Sequence, residues 1–213
     1  MLITEGPFAG LKKNHYRALL MDVPWQFLAR SEKGKDRSPD RHYQTMTLDD
    51  IKALPIRDLV HPDGCVLHFW VIDTHVQMAL DVIRAYGFTY KTVGFYWAKT
   101  NKDGSFFTGM GFWTRANPEH AYEAYFGESE SDVQRSFLAT VGAPKRTGKD
   151  VPRLIVAPRR EHSRKPDEIH ERIMRLTDGP YLELFAREYR EGWSSWGYEA
   201  DKFGGDPEAE ALV

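Results

Sequence analysis

A single cysteine, Cys65, stands in 213 residues, so no internal disulfide can form; its place in an apolar run reads as a buried thiol in a reducing compartment. No apolar run approaches the roughly 20 residues of a membrane-spanning helix. The first residues also lack the apolar centre of a signal peptide, so a cytoplasmic protein with no membrane partner is expected. Neither sign of charge dominates. A formal net charge of −2 and a pI near 6.5 argue against binding nucleic acid by bulk electrostatics, which usually shows as a basic domain. Metal-ligand spacing is missing too. The histidines at 15, 42, 61, 68, 75, 120, 162 and 170 form no tight pattern, His170-Glu171 lacks the second histidine of His-Glu-x-x-His, and no cysteine pair exists, so no metal is expected. There is no Gly-x-Ser-x-Gly, no Gly-Lys-Ser/Thr phosphate loop, no Gly-x-Gly-x-x-Gly and no internal repeat.

What is present is a chain 41% hydrophobic and 28% charged, the profile of one globular domain, taken as residues 1–203 with a disordered tail over 204–213. It is organised around Ala18-Leu19-Leu20-Met21-Asp22-Val23-Pro24-Trp25, an apolar run ending in a carboxylate, a proline and an indole. Such a run suits a buried strand, and Pro24 cannot continue the ladder. Pro24 fixes its own φ and pushes Val23 toward an extended conformation, so both carbonyls take defined directions beside the Asp22 carboxylate. A cluster of acceptors next to a flat aromatic suits an exocyclic amine on a planar base. The alternative is a plain strand end, with Asp22 capping a turn and Trp25 packed in the core.

Along the chain, Arg17–Met21 reads as the first strand, and the polar stretch from Gln26 to Met46 as a long lid-like loop. Thr47-Leu48-Asp49-Asp50 opens a short helix that Pro55 closes, and Cys65–Trp70 is a second strand. Asp73 or Thr74 is expected to cap a helix whose apolar positions Val76, Ala79, Leu80, Ile83 and Tyr86 keep helical spacing, with Gly87 ending it. Phe88–Trp97 is strand-like. A loop from Asn101 to Pro118 carries Phe106, Phe107, Phe112 and Trp113, either a binding surface or anchors. Ala121–Phe126 and Leu154–Val156 read as strands, with a polar surface insertion between them. Pro166 is expected as the first helical residue of Asp167–Leu176, and Tyr181–Phe185 as the last clear strand. The alternation predicts an α/β fold with a mainly parallel sheet and a cleft beyond the carboxyl ends of its strands. Lys145, Arg146, Lys149, Arg153, Arg159, Arg160, Arg164 and Lys165 crowd one stretch that could meet phosphates or form a solvated basic loop.

A series of motifs then carries a likeness. Asp22-Val23-Pro24-Trp25, His42-Tyr43-Gln44-Thr45-Met46, Leu67-His68-Phe69-Trp70-Val71, Trp97-Ala98-Lys99-Thr100-Asn101, His162-Ser163-Arg164-Lys165-Pro166-Asp167-Glu168, Leu182-Glu183-Leu184-Phe185-Ala186-Arg187 and Trp196-Gly197-Tyr198-Glu199 follow in order. The chain thereby resembles the S-adenosylmethionine-dependent adenine-N6 methyltransferases of the MT-A type, the branch of the eukaryotic messenger-RNA adenosine methyltransferase catalytic subunit, and resembles its bacterial or phage members. The likeness spans about residues 17 to 200. It implies a Rossmann-like methyltransferase sheet flanked by helices, in the permuted order that puts the catalytic motif before most cofactor-binding elements. It also implies S-adenosyl-L-methionine as cofactor and direct methyl transfer to an adenine amino group held by Asp22 and the carbonyls of Val23 and Pro24, with Trp25 bordering the base. Tyr43, Lys99, Asn101 and Arg115 fall on the substrate side. Asp22, Ser163, Lys165, Phe185, Arg187, Tyr198 and Glu199 fall on the cofactor side, Lys165 facing the methionine carboxylate and Glu199 the ribose hydroxyls. Tyr189 and Arg190 occupy further contact positions. Val23 stands where the family has its first proline, and Tyr198 where a polar Asn or Asp is common.

The expected partner is nucleic acid, DNA ahead of RNA, its adenine extruded or already unpaired; a homodimer is compatible. Two other readings stay open: a non-catalytic nucleic-acid-binding partner subunit, and a methyltransferase acting on a free nucleotide.

Overall fold

A computed structural model describes residues 1–26, 45–109, 117, 119–126, 144–161 and 164–204. Strands β1 (Ala18–Met21), β2 (Cys65–Val71), β3 (Phe88–Thr100), β4 (Glu119–Phe126), β5 (Leu154–Pro158), β6 (Tyr181–Leu184) and β7 (Trp193–Trp196) form one seven-stranded sheet in the order β5-β3-β4-β2-β1-β6-β7. The helices are α1 (Leu48–Ala53), α2 (Val76–Ala85) and α3 (Glu168–Leu176). Every residue of β1 and of β2 is buried, as their continuous apolar runs require of strands covered on both faces. On one face Leu19, Met21, Leu67, Phe69, Leu182 and Leu184 join Ile51 of α1 and Ala79, Val82 and Ile83 of α2. On the other, Leu20, Val66, Trp70, Phe95 and Trp97 meet Ile169 and Ile173 of α3 and Trp193 of β7. The result is a mixed α/β fold with a helix-flanked sheet.

β1 runs parallel to β2 and β6, β6 to β7, and β3 to β5. β4 is the exception, antiparallel to both β2 and β3. The alternation of elements did not reveal this reversal, because a strand's direction leaves no mark on its own residues and an antiparallel return needs no helical crossover. Its consequence is positional: Glu119, first in β4, lies at the edge where β1, β2 and β3 end.

Some boundaries differ from the sequence expectations. Thr47 caps α1, its hydroxyl accepting from the Asp50 N–H at 3.2 Å. A 3-10 turn over Asp73–His75 precedes α2 instead, so neither Asp73 nor Thr74 is its cap. Gly87, at φ +78°, ends that helix as expected. α3 begins at Glu168, two residues beyond Pro166. β7 lies beyond Tyr181–Phe185, expected as the last clear strand; four residues with two polar centres carry little strand signal. Among the described residues no helix is long and apolar enough to cross a membrane. Most of the lid-like loop, Phe112, Trp113, most of the polar insertion and the tail beyond Gly204 lie outside the described residues.

Candidate active site

β1 delivers Asp22 to the carboxyl edge of the sheet, and Pro24 turns the chain there. The turn is pinned by backbone. The Trp25 N–H donates to the Val23 carbonyl at 2.9 Å, and the Met46 N–H to the Pro24 carbonyl at 2.9 Å. Gln26 N–H donates to the Met46 carbonyl at 3.3 Å, so the two ends of the intervening loop lie side by side. Each carbonyl already holds one internal hydrogen bond, and each retains a second lone pair. Trp25 is only 7% exposed; its indole packs on Phe69 and His75, with ring centroids 5.8 and 5.3 Å away. The structure therefore gives its faces largely to the core, a wall of the cleft instead of an open stacking platform.

Beside the turn lies an alternating row of charges. Lys165 Nζ sits 2.7 Å from Asp22 Oδ2 and 3.3 Å from Glu119 Oε2, and Lys99 Nζ pairs with Glu119 Oε1. Lys165 and Glu119 side chains are only 13% and 10% exposed, whereas Asp22 is 34% exposed. Aromatic faces support both cations: Lys165 stands 5.7 Å from the Trp70 ring and Lys99 5.0 Å from Trp97. The two acids respond differently to this setting. Burial raises the Asp22 pKa, and Lys165 opposes that without overcoming it while Glu119 adds to it. Burial pushes Glu119 the same way, but Lys165 and Lys99 together hold it below the ordinary value. Burial would lower the Lys165 pKa; the two carboxylates outweigh it and raise it, so the ammonium stays charged throughout the working range.

A second group sits after β6. Phe185 adopts φ +62° and packs its ring 5.2 Å from Trp196, whose indole N–H donates to the Pro7 carbonyl at 2.8 Å. Arg187 Nε donates to Glu199 Oε2 at 3.1 Å, and Lys202 pairs with Glu199 Oε1. Burial would raise the Glu199 pKa, but Lys202 and Arg187 keep it below the usual range, an ionised acceptor at neutral pH. Phe203 lies under the guanidinium groups of Arg164 and Arg187 at 4.9 and 5.2 Å. Gly197 makes the approach of these strands possible: a Cβ there would lie 2.5 Å from the Ala186 carbonyl oxygen and 2.8 Å from its nitrogen. Gly197→Ala is therefore expected to force β6 and β7 apart next to Tyr198 and Glu199, at a cost of about 1–3 kcal/mol. A thermal melt and a cofactor titration check this; unchanged values in both would remove Gly197 from any role in shaping the site.

Of the residues singled out from sequence, the structure brings Asp22, Val23, Pro24, Lys99 and Lys165 together around the charge row. Phe185, Arg187 and Glu199 form the group after β6, and Tyr198 beside them is 77% exposed. Asn101 does not join either group: its amide donates to Ser105 Oγ at 3.0 Å and it shapes a turn. Tyr43, Arg115 and Ser163 lie outside the described residues. Part of the basic stretch, and Arg190 beyond it, is spent internally. Arg146 holds the carbonyls of Gly148 and Lys149, Arg160 and Arg190 hold Asp167, and Arg164 holds Glu188. Two residues were missed. Glu119 and Asn117 precede the strand expected from Ala121 and were not singled out, because nothing local says that β4 returns to this edge. Asn117 clamps two segments, accepting from the Lys99 N–H at 2.9 Å while its amide N–H group donates to the Lys99 carbonyl at 3.0 Å and to the Phe107 carbonyl.

Chemically, the edge offers an acid beside a buried ammonium, a pair suited to the two ends of an amino-acid zwitterion, and an ionised Glu199 suited to a diol. Comparison with known proteins points the same way. The MT-A70 family matches residues 16–199. A type II methyltransferase, M.MunI, from a Mycoplasma species is 25% identical over 210 residues, covering 90% of this chain and 81% of that protein. The human N(6)-adenine-specific methyltransferase METTL4 is 28% identical over 88% of this chain but only 38% of its own length. An N(6)-adenosine-methyltransferase MT-A70-like protein of Arabidopsis thaliana is 29% identical over 85% of this chain and 23% of its own. With the family pattern covering nearly all of the sheet and both residue groups at its edge, the chain belongs to the MT-A70 family of adenine-N6 methyltransferases.

Proposed function

We propose that the chain is an S-adenosylmethionine-dependent adenine-N6 methyltransferase that acts on nucleic acid, with DNA ahead of RNA as substrate. The observation that carries this is the Asp22 carboxylate, anchored through Oδ2 to Lys165 and flanked by the Val23 and Pro24 carbonyls at the sheet edge. The DNA preference goes with a type II methyltransferase matched over 90% of this chain and 81% of its own length, against an N(6)-adenosine-methyltransferase MT-A70-like protein matched over 23% of its own. The permuted Rossmann-like order is part of the same proposal.

The residues present fit the cofactor by their donor chemistry: Lys165 for a carboxylate, Asp22 for an ammonium or an amine, and Glu199 with Arg187 for the ribose. Bound S-adenosylmethionine supplies a methyl group already activated on a sulfonium, so no covalent enzyme intermediate is required. Asp22 and the free lone pairs of the two carbonyls accept the amino hydrogens of adenine and turn the nitrogen lone pair outward. With the cofactor bound, the sulfonium would give up its methyl group to that nitrogen and leave as the thioether, and Asp22 or solvent would take the proton that the nitrogen sheds. Anchoring of Asp22 by Lys165 fixes the acceptor before the substrate arrives, which is where the rate advantage lies.

Because Asp22 acts ionised and its pKa is raised, the acid limb of kcat/KM is expected to lie above the ordinary Asp range. In stability the signs divide. The raised Asp22 pKa favours the folded state in acid, and that contribution is lost as pH rises through the folded value. Glu119 contributes above its ordinary pKa and loses its contribution as pH falls through the lowered one. A pH–rate profile whose acid limb falls at or below an ordinary Asp would contradict the assignment of Asp22.

The direct test is mass spectrometry of nucleosides from DNA and RNA oligonucleotides incubated with purified protein and isotopically labelled S-adenosylmethionine. Labelled N6-methyladenine is expected, more from DNA. Its absence from both, with cofactor bound and fold intact, would overturn the proposal.

A further inference from the structure

Beyond β3 the chain forms a tight hairpin that the charge row does not use. The Asn101 N–H donates to the Ser105 carbonyl at 2.7 Å, the Phe107 N–H to the Lys99 carbonyl at 2.9 Å, and Gly104 turns the chain at φ +84°. Asp103 Oδ1 accepts from Ser105 N–H and Oγ–H at 3.0 and 2.6 Å. Asn117 locks the two arms at the base. On this rigid arm Phe106 is 69% exposed, and the Arg159 guanidinium lies 3.8 Å from the Phe107 ring centroid. Arg159 is itself fixed to the arm, its N–H donating to the Thr100 carbonyl at 2.9 Å. Lys102 is exposed at the turn.

A lone exposed aromatic is ordinarily unremarkable on a protein surface. Two facts give this one a partner. The hairpin grows out of Lys99, the outer member of the row Asp22–Lys165–Glu119–Lys99, so it is continuous with the candidate site. The chain also carries a net charge of −2, and Arg160, Arg164 and Lys165 of its basic stretch are held in internal ion pairs, so stacking has to add to the affinity for a polyanion.

We propose that the 99–107 hairpin is a contact for single-stranded nucleic acid, the exposed Phe106 ring stacking on the base that flanks the methylated adenine and Arg159 with Lys102 meeting the adjoining phosphates. The inference rests on the function proposed above and adds a site to it. An aromatic arm of this kind holds an unpaired strand and tolerates any flanking base, because every base offers a π face.

The test is fluorescence anisotropy of labelled 12-mer single-stranded DNA and RNA containing one adenine, with the wild-type protein, Phe106→Ala, Phe106→Trp and Arg159→Gln. Phe106→Ala is expected to weaken binding about five- to 150-fold, the range of one base stack, with Phe106→Trp restoring it. Cofactor affinity and melting temperature should not move. Arg159→Gln should lower the salt dependence of binding by about 0.7 in the log–log slope. An abasic position beside the adenine should weaken wild-type binding and add nothing in Phe106→Ala. Equal binding by wild type and Phe106→Ala overturns the hairpin contact, as does a Phe106→Ala effect on self-association by light scattering with oligonucleotide affinity unchanged. If the wild type binds these strands through Phe106 yet methylates none of them, the catalytic proposal fails and the hairpin stands.

Discussion

Asp22→Asn is expected to cut methyl transfer about a hundred- to a thousandfold, the loss seen when one preorganised electrostatic partner of a transition state is removed. The variant keeps the shape of the turn. What it removes is the negative charge that accepts amino hydrogens and stabilises the positive charge developing on nitrogen. Asparagine also presents an N–H group where an acceptor is needed, so the defect should lie in kcat more than in oligonucleotide affinity. Folding should not suffer. Burial opposes the ionised form of Asp22 even with Lys165 beside it, so the neutral amide relieves an unfavourable charge at neutral pH. Lys165 meanwhile keeps Glu119 at 3.3 Å. The expected result is a dead enzyme with a melting temperature equal to or above that of the parent. The same variant decides between catalysis and a purely binding role: biological activity that survives Asp22→Asn means that the chain works as a nucleic-acid-binding partner.

Lys165→Met is expected to produce the opposite pattern in stability. Removing the ammonium leaves Asp22 and Glu119 facing each other with Lys99 as the remaining cation at Glu119. Breaking a buried pair by deleting one partner costs about 3–5 kcal/mol, and the 34% exposure of Asp22 places this case toward the lower end. For a domain of this length a loss of about 3 kcal/mol lowers the melting temperature by roughly 6–12 °C. The Asp22 pKa should rise further, since the cation that opposes burial is gone. Cofactor affinity and methyl transfer should both fall. The double variant Asp22→Asn/Lys165→Met is then expected to recover part of the stability lost in the single one, because the two side chains interact directly. Additive effects in that cycle would mean that the 2.7 Å contact carries no net energy.

Much of this organisation was legible in the sequence. Continuous apolar runs at Ala18–Met21 and Cys65–Val71 specified buried strands, Thr47 its cap and Gly87 a helix end, because each of these depends on near neighbours in the chain. The ordered motifs likewise singled out Asp22, Lys165 and Arg187, which sit just past a strand or just before a helix whose own signal is strong, whereas Glu199 rested on its motif alone.

The sequence by itself thus determined which segments become strands and helices, and which polar residues stand at their ends, since both follow from local periodicity and turn chemistry. Only the tertiary structure decided that β4 runs backward between β2 and β3, bringing Glu119 to within 3.3 Å of Lys165 and Asn117, bonded to the Lys99 N–H at 2.9 Å, to the root of the hairpin. It also decided that Trp25 turns its faces inward and that Arg160 and Arg164 of the basic stretch pair with Asp167 and Glu188. The reason is physical: ion pairing and burial depend on distances between residues remote in the chain, and strand order sets those distances while leaving no periodic trace in the residues themselves.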